Sequence, residues 1–431
     1  MSNKRYICLY FQVHQPFRLR RFRFFDIGRK GGYFDDAKNH QILHKVSGKC
    51  YMPTNALLQE LVEQYQGAFR FAFSFSGTVL QQLNEMAPQV LSGFQRLAGS
   101  AEVEVLAETY AHSLSALVGS KEFEQQVLRH SRLVDACFGK RPEVFRNTEL
   151  IYSDAIGQRV RNLGYKGMLT EGADRILGWK SPNYLYSSAT ASDFGLLLKN
   201  YRLSDDIAFR FSQPGWKDAP LTAEKFVGWL NAIPEEESIV NLFMDYETFG
   251  EHQWASSGIF DFLRALPEAV LSGSDFQFVT PSEALQLLEP VGSLSMPEPV
   301  SWADEARDLS AWLGNPIQDD AFESLYRLEP LIAQCTDTSI LNDWQYLQTS
   351  DHFYYMCTKY FADGDVHKYF NPYETPYEAF INYMNVLADF ELRVKYHLAT
   401  KPTGVWKKRQ VRFEPMAVPH RAAMAEENEM R

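Results

Sequence analysis

Short apolar runs recur through the first two-thirds of the chain, and amphipathic segments with helical spacing lie between several of them. In Asn55–Gln64, for example, Leu57, Leu58 and Leu61 fall on one face of a helix, and Phe123–Phe138 shows similar spacing. Strands that alternate with helices in this way predict a parallel sheet with crossover helices, and this many units predict an α/β barrel. The runs with strand character are Tyr6–Val13, Phe69–Phe75, Val103–Ala107, Glu143–Arg146, Lys166–Leu169, Ile239–Met244 and Phe276–Val279.

The pattern changes after about residue 285. A proline-containing linker leads into long helical segments, and no strand signal of comparable strength follows it. We therefore expect a barrel domain over residues 1–285, a helical domain over 286–405 and a disordered tail over 406–431. The helical segments are Asp319–Gln334, Ser339–Phe361 and Tyr377–Leu398.

The chain is acidic, with 54 Asp and Glu residues against 43 Lys and Arg residues and a net charge of −11. Nucleic-acid binding needs a basic surface, so we expect no nucleic-acid partner. The five cysteines form no CxxC pair, which favours reduced thiols. The N-terminus is too polar for a secretory signal, and no apolar run is long enough to span a membrane. We therefore expect a cytoplasmic protein with no membrane partner.

Residues suited to acid–base chemistry lie at or just after the ends of four predicted strands. In parallel α/β barrels the active site is built from the carboxyl ends of the strands, so we expect these residues to share one rim. A pair of carboxyl groups with separated pKa values is what glycoside hydrolysis requires. The residues concerned are His14, Glu104, Glu108, Glu149, Asp245 and Glu247.

A metal site is a chemical alternative for this rim. His112 lies four residues after Glu108, and His252 follows Glu251, so a His/Glu site could be assembled. The sequence contains no HExxH motif, however, and ten His residues in 431 are not an enrichment. We therefore expect no catalytic metal and no cofactor.

Five short motifs follow one another between residues 14 and 352. They are HQP at 14–16, VEVLAETYAHS at 103–113, FRNTELIY at 145–152, MDYETFGEH at 244–252 and QTSDH at 348–352. Two further stretches are RLSDDI at 202–207 and RDLSAWLGN at 307–315. In this order and at this spacing the motifs resemble glycoside hydrolase family 57, in its α-amylase-like branch.

The resemblance implies an incomplete seven-stranded (β/α) barrel followed by a C-terminal helical bundle. It implies a retaining glycoside hydrolase that cleaves α-1,4-glucosidic bonds in starch, glycogen or maltooligosaccharides, with Glu149 as nucleophile and Asp245 as general acid/base. One feature departs from the family pattern: Arg146, Asn147 and Thr148 precede the nucleophile, where many members carry Trp and Pro. The departure concerns the shape of the adjacent sugar subsite.

Further residues are expected to bind the sugar. Gln348, Asp351, His352 and Tyr355 share one face of a helix by their spacing, and we expect that helix to turn toward the barrel rim. Exposed tryptophans can act as stacking surfaces for sugar rings. The predicted substrate-binding residues are His14, Gln15, Glu104, Glu247, Asp351, His352, Trp254 and Trp312.

The sequence leaves three other activities open. A 4-α-glucanotransferase would use the same pair of carboxylates and differ only in whether a sugar or water accepts the glycosyl group. A metal-dependent carbohydrate deacetylase on a similar barrel would need an Asp/His cluster, which the sequence does not display. A non-catalytic glucan-binding protein is the third alternative. The expected partner in each case is a carbohydrate, an α-glucan in the favoured one, and the oligomeric state is not predicted.

Overall fold

A computed structural model describes residues 4–29, 32–119, 121–359 and 371–400. The tail expected over residues 406–431 lies outside these ranges. Within them, no helix is long and apolar enough to cross a membrane.

In the described part of the chain, ten strands form one sheet, and seven of them close into a barrel in the order β1-β2-β3-β4-β5-β7-β8. The β3–β4 contact is short and rests on a parallel bridge between Ala107 and Phe145. The strands are β1 Arg5–Val13, β2 Phe71–Phe75, β3 Val103–Val105, β4 Val144–Arg146, β5 Gly167–Glu171, β6 Leu185–Ser188, β7 Ala191–Lys199, β8 Ile239–Asp245, β9 Phe276–Val279 and β10 Ser293–Leu294. The expected seven-stranded barrel is confirmed.

The helices of the described residues surround the barrel and continue beyond it. They are α1 Asp36–Val46, α2 Met52–Tyr65, α3 Gly77–Met86, α4 Pro88–Ala98, α5 Lys121–Phe138, α6 Asp154–Asn162, α7 Asp174–Leu177, α8 Tyr201–Asp205, α9 Ala223–Asn231, α10 Ile259–Gly273, α11 Pro281–Leu287, α12 Pro316–Tyr326, α13 Glu329–Ile332, α14 Thr338–Leu347, α15 Ser350–Tyr354 and α16 Pro376–Thr400.

The barrel is filled with apolar side chains and closed at its amino-terminal end by α11. Tyr6, Cys8 and Phe243 belong to the cluster inside the barrel, against which Leu285 of α11 packs. A methyl group added at Gly195 of β7 would lie 2.3 Å from Leu285, so the helix can approach this closely only because the strand carries a glycine there. The opposite end of the barrel is left for polar side chains.

The helices after α11 share a hydrophobic core with the barrel helices. Phe123 and Val127 of α5 belong to the same buried cluster as Trp344, Phe353 and Tyr383. The boundary expected at residue 285 falls inside α11. The helical region therefore packs directly on the barrel.

Three strands were not predicted from the sequence, β6, β7 and β10, of which β7 belongs to the barrel. The single helix expected over Ser339–Phe361 is also wrong, because α14 ends at Leu347 and α15 begins at Ser350. Thr349 between them has an extended ψ of 132° and forms an antiparallel bridge with Ser113. A chain paired to another segment at this point cannot continue its helical hydrogen bonds.

Candidate active site

Ionisable side chains gather at the carboxyl end of the barrel. Inward-facing positions alternate along each strand, and at this end they are occupied by Gln12 of β1, Arg146 of β4, Lys199 of β7 and Asp245 of β8. Glu108, which follows β3, joins them, since its Oε1 accepts a hydrogen bond from Gln12 Nε2 at 3.0 Å. One rim of the barrel therefore concentrates charge from several strands.

The carboxylate of Glu149 is held through both oxygens. Trp302 Nε1 donates to Oε2 at 2.7 Å, and Ser350 Oγ donates to Oε1 at 3.1 Å. His112 Nε2 lies 3.3 Å from the same Oε1. Burial raises the pKa of Glu149, but the hydrogen bond and charge of His112 outweigh this effect and lower it. Glu149 is therefore ionised at neutral pH.

Asp245 is the last residue of β8 and has the opposite electrostatic setting. Burial raises its pKa, and the negative charge of Glu149 raises it further, to about 6, against the opposing positive charges of Arg146, His112 and Lys199. A repulsion of this kind requires the two carboxyl groups to lie near each other. Glu149 is thus ionised at neutral pH, while Asp245 can still carry a proton in part of the molecules.

Two stacked imidazole rings lie beside Glu149. The ring centroids of His14 and His112 are 4.0 Å apart, with 20° between the ring planes. His112 Nδ1 lies 2.9 Å from Glu108 Oε2, so both of its nitrogens face carboxylates. Burial lowers the pKa of His112, but Glu108 and Glu149 raise it to about 9. His112 is therefore an imidazolium that donates to both.

His14 links the barrel to the helical region. Its Nε2 lies 3.0 Å from Asp351 Oδ2, and its Nδ1 lies 2.7 Å from Ser76 Oγ. Burial and the charge of His112 lower the pKa of His14, so the ring is neutral. Burial raises the pKa of Asp351, but the contact with His14 and the charge of His112 hold it well below its ordinary value. His14 Nε2 therefore donates to an ionised Asp351.

Glu247 forms the wall of the site next to Asp245. Its Oε1 accepts hydrogen bonds from the hydroxyl of Tyr51 and, at 3.3 Å, from Gln15 Nε2. Burial and the negative charge of Asp245 raise the pKa of Glu247 to about 8. Gln15 in turn accepts from Arg18 Nη2 at 3.1 Å. Glu247 and Gln15 therefore belong to the cluster, with Glu247 protonated at neutral pH.

Glu104 and His352, two of the predicted substrate-binding residues, are not brought to the carboxylate pair. Glu104 lies in β3, four residues before Glu108 and toward the end of the barrel that α11 closes. Its Oε2 accepts from the backbone N–H and the hydroxyl of Ser282 in α11, at 2.9 and 3.0 Å. His352 is buried beside the Tyr346 carbonyl, and its Nε2 lies 3.1 Å from that oxygen.

The two predicted tryptophans differ in their settings. Trp312 is buried in the core shared by the barrel helices and the helical region, which corrects its expected role as a stacking surface. Trp254 lies in the loop after β8 and is 63% exposed, so it is accessible to a sugar.

The sequence predicted no site role for Ser350 or Arg146 and did not connect Trp302 with Glu149. Ser350 stands next to Asp351 in the QTSDH motif, which is the one signal that could have pointed to it. Trp302 lies 153 residues after Glu149, and nothing in the spacing predicts their hydrogen bond. In the ranges the structure describes, no group of three or more His, Cys, Asp or Glu side chains is arranged to hold a metal ion.

The arrangement suits a two-step substitution. An ionised carboxylate with fixed oxygens can act as a nucleophile, and a neighbouring carboxyl group of raised pKa can donate a proton and later remove one. Glycoside hydrolases that retain anomeric configuration use such a pair.

Comparison with known proteins points in the same direction. The model of the family "Glycosyl hydrolase family 57" matches residues 8–297. Over 409 residues the chain is 42% identical to "Putative alpha-amylase" of Methanocaldococcus jannaschii, and the match covers 91% of this chain and 85% of that protein.

Two solved structures share the fold at low sequence identity. The GH57-type branching enzyme of Pyrococcus horikoshii is 15% identical, with a TM-score of 0.64 over 96% of this chain and 99% of that one. The alpha-amylase AmyC of Thermotoga maritima is 13% identical, with a TM-score of 0.55 over 92% of this chain and 96% of that one.

Proposed function

Because the chain belongs to glycosyl hydrolase family 57, we propose that it is a retaining hydrolase of α-1,4-glucosidic bonds in α-glucans such as starch, glycogen or maltooligosaccharides. The observation that carries the proposal is a pair of carboxyl groups at one barrel rim whose surroundings shift their pKa values in opposite directions, that of Glu149 downward and that of Asp245 upward. The names of the relatives support the substrate class, since they include amylases and a branching enzyme.

The proposed reaction has two steps. In the first, a Glu149 oxygen attacks the anomeric carbon while Asp245 donates its proton to the departing glycosidic oxygen. In the second, ionised Asp245 takes a proton from water, which attacks the glycosyl-enzyme and releases Glu149. The two inversions together retain the anomeric configuration.

The surrounding residues have matching roles. The imidazolium of His112 and the indole N–H of Trp302 keep Glu149 ionised and oriented. Asp351, to which the N–H of neutral His14 donates, can accept hydrogen bonds from sugar hydroxyls. Such contacts accelerate the reaction when they strengthen as the ring distorts toward the transition state.

Product analysis with maltoheptaose tests the proposal. We expect only maltooligosaccharides shorter than the substrate. Proton NMR of the freshly formed reducing ends should show the same anomeric configuration as the bond that is cleaved. Longer products in addition would assign the chain as a 4-α-glucanotransferase, which uses the same pair of carboxylates and transfers to a sugar instead of water. Glucan binding without any product would contradict an enzymatic role, provided that the protein is folded.

A further inference from the structure

Trp302 contacts the candidate nucleophile through both backbone and side chain. Its backbone N–H donates to the Glu149 carbonyl at 3.1 Å, and its indole Nε1 donates to the Glu149 carboxylate at 2.7 Å. Nearby in the same two segments, Val300 and Tyr152 form an antiparallel bridge. The segment that carries Trp302 is therefore paired with the segment that carries Glu149.

The indole ring also contacts two cations from inside the barrel. The guanidinium carbon of Arg146 lies 4.8 Å from the ring centroid, and Lys199 Nζ lies 5.5 Å from it. Both distances are within the range of cation–π attraction, which is stronger when the cation is removed from water. These cations come from β4 and β7, which lie on opposite sides of β5 in the barrel wall.

Arg146 makes an unusual set of contacts for a buried arginine. It is fully buried, yet its Nε, Nη1 and Nη2 have no hydrogen-bond partner among the residues described by the structure. The titratable groups that feel its charge are Tyr10, Glu108, Glu149 and Asp245. A buried charge without hydrogen bonds costs stability, and the contact with the Trp302 ring offsets part of that cost.

Lys199 shares its two acidic partners with Arg307, which lies five residues after Trp302 in the same loop. Its Nζ lies 2.9 Å from Asp205 Oδ1 and 4.0 Å from Glu171 Oε2. Arg307 pairs with Asp205 at 3.3 Å and with Glu171 at 3.6 Å, and it donates to the Trp302 carbonyl at 2.6 Å. One ionic network therefore holds both Lys199 and the backbone of Trp302.

We propose that Arg146 and Lys199 are positioning residues that seat the indole of Trp302, so that its N–H fixes one oxygen of Glu149 for attack on the sugar. The proposal rests on the proposed role of Glu149 as nucleophile. Arg146 is one of the three residues before Glu149 at which this chain departs from the family pattern.

A double-mutant cycle between Arg146 and Trp302 tests the proposal. We expect Trp302→Phe to lower kcat about 100-fold, as loss of one preorganised donor does, and Arg146→Met to lower it about 10- to 100-fold. If Arg146 acts through the indole, Arg146→Met should cost less than about threefold more once Trp302 is Phe. Losses that multiply would overturn the proposal, because Arg146 would then act through its field alone.

The pH profile supplies a readout that a packing defect would not move. The Trp302 hydrogen bond and the Arg146 charge both lower the pKa of Glu149. Trp302→Phe should therefore shift the acid limb of kcat/KM to higher pH, Arg146→Met should shift it less in the Trp302→Phe background than in the wild-type protein, and Arg146→Lys should restore most of kcat and of the limb. An acid limb that stays in place while kcat falls would contradict the positioning role.

Two further variants keep the test decisive. Arg159 on α6 makes a comparable cation–π contact, since its guanidinium carbon lies 4.7 Å from the Phe123 ring centroid. Arg159→Met removes that contact and should leave kcat within about twofold of the wild-type value. If Arg146→Met does not fold, the same cycle run with Lys199→Gln carries the same prediction. Glu149→Gln, assayed in parallel, separates the two claims: full activity there would defeat the proposed function, whereas an inactive Glu149→Gln with multiplying losses would defeat only the seat.

Discussion

Glu149 lies directly beyond β4 in a left-handed backbone conformation, with φ 57°, and Leu150 follows with φ 51°. Non-glycine residues adopt this region rarely and at an energetic cost, and such positions cluster at functional sites. The conformation directs the Glu149 side chain toward His112, Trp302 and Ser350, which hold it. Residues near the site therefore maintain a geometry that the local chain disfavours.

The first prediction concerns this residue. Glu149→Gln should lower kcat by about three to six orders of magnitude, because it removes the nucleophile and little volume. Glu60→Gln is the matched control, since Glu60 is exposed on α2 and pairs with Arg264 at 2.6 Å. Turnover of a folded Glu149→Gln variant within tenfold of the Glu60→Gln control would end the assignment.

The second prediction concerns the proton on Asp245. Its pKa is raised to about 6 by burial and by the charge of Glu149, and the first step needs the protonated form. As pH rises above that value the protonated fraction falls, so kcat/KM should fall about tenfold per pH unit. A profile measured between about pH 4 and pH 9 checks this, and a value of kcat/KM that is constant up to pH 8 would exclude Asp245 as the acid.

Among the elements, α15 is the one that brings the helical region to the chemistry. The backbone N–H of Ser350 donates to the His112 carbonyl at 2.9 Å, and Thr349 pairs with Ser113. The break between α14 and α15 thus allows Ser350 to reach Glu149 and Asp351 to reach His14. A continuous helix would have left these contacts unmade.

Asp351→Ala tests the role of this element. We expect it to lower both kcat and kcat/KM, with a loss of transition-state stabilisation of about 2–4 kcal/mol, because contacts to the reacting sugar strengthen in the transition state. Asp320→Ala on α12, which removes an exposed carboxylate, should leave both constants unchanged. If Asp351→Ala lowered only the melting temperature, Asp351 would be a structural residue and the prediction would be wrong.

The elements also show where sequence patterns stop being informative. The seven strands predicted from the sequence are confirmed, because each is a buried apolar run that is easy to recognise. The strand Ala191–Lys199 was missed because the exposed polar residues Ser192 and Asp193 near its start hide its strand character. Glu104 carries the same charge as the rim residue Glu108, and the sequence does not show that Glu104 lies farther from the rim along β3. The contact of Trp302 with Glu149 depends on a loop after β10, which no periodicity describes.

On the scale of the whole molecule, the site requires both the barrel and the helical region. Barrel strands carry Glu149 and Asp245, the segment after β10 supplies Trp302, and α15 supplies Ser350 and Asp351. The family resemblance read from the motifs is confirmed, and with it the barrel architecture. The motifs could predict the family and the barrel because they lie at or near strand ends, whereas Trp302 and Ser350, which hydrogen-bond to Glu149, come from distant segments.

The proposed mechanism requires that Glu149 form a covalent glycosyl-enzyme. Peptide mapping by mass spectrometry of the Asp245→Asn variant after incubation with α-maltosyl fluoride tests it most directly. Fluoride leaves without acid assistance, so Glu149 can still attack, but no base remains to activate water for the second step. We expect a maltosyl adduct on the peptide that contains Glu149. An adduct on another residue, or no adduct while the wild-type protein consumes the fluoride with inversion, would contradict it.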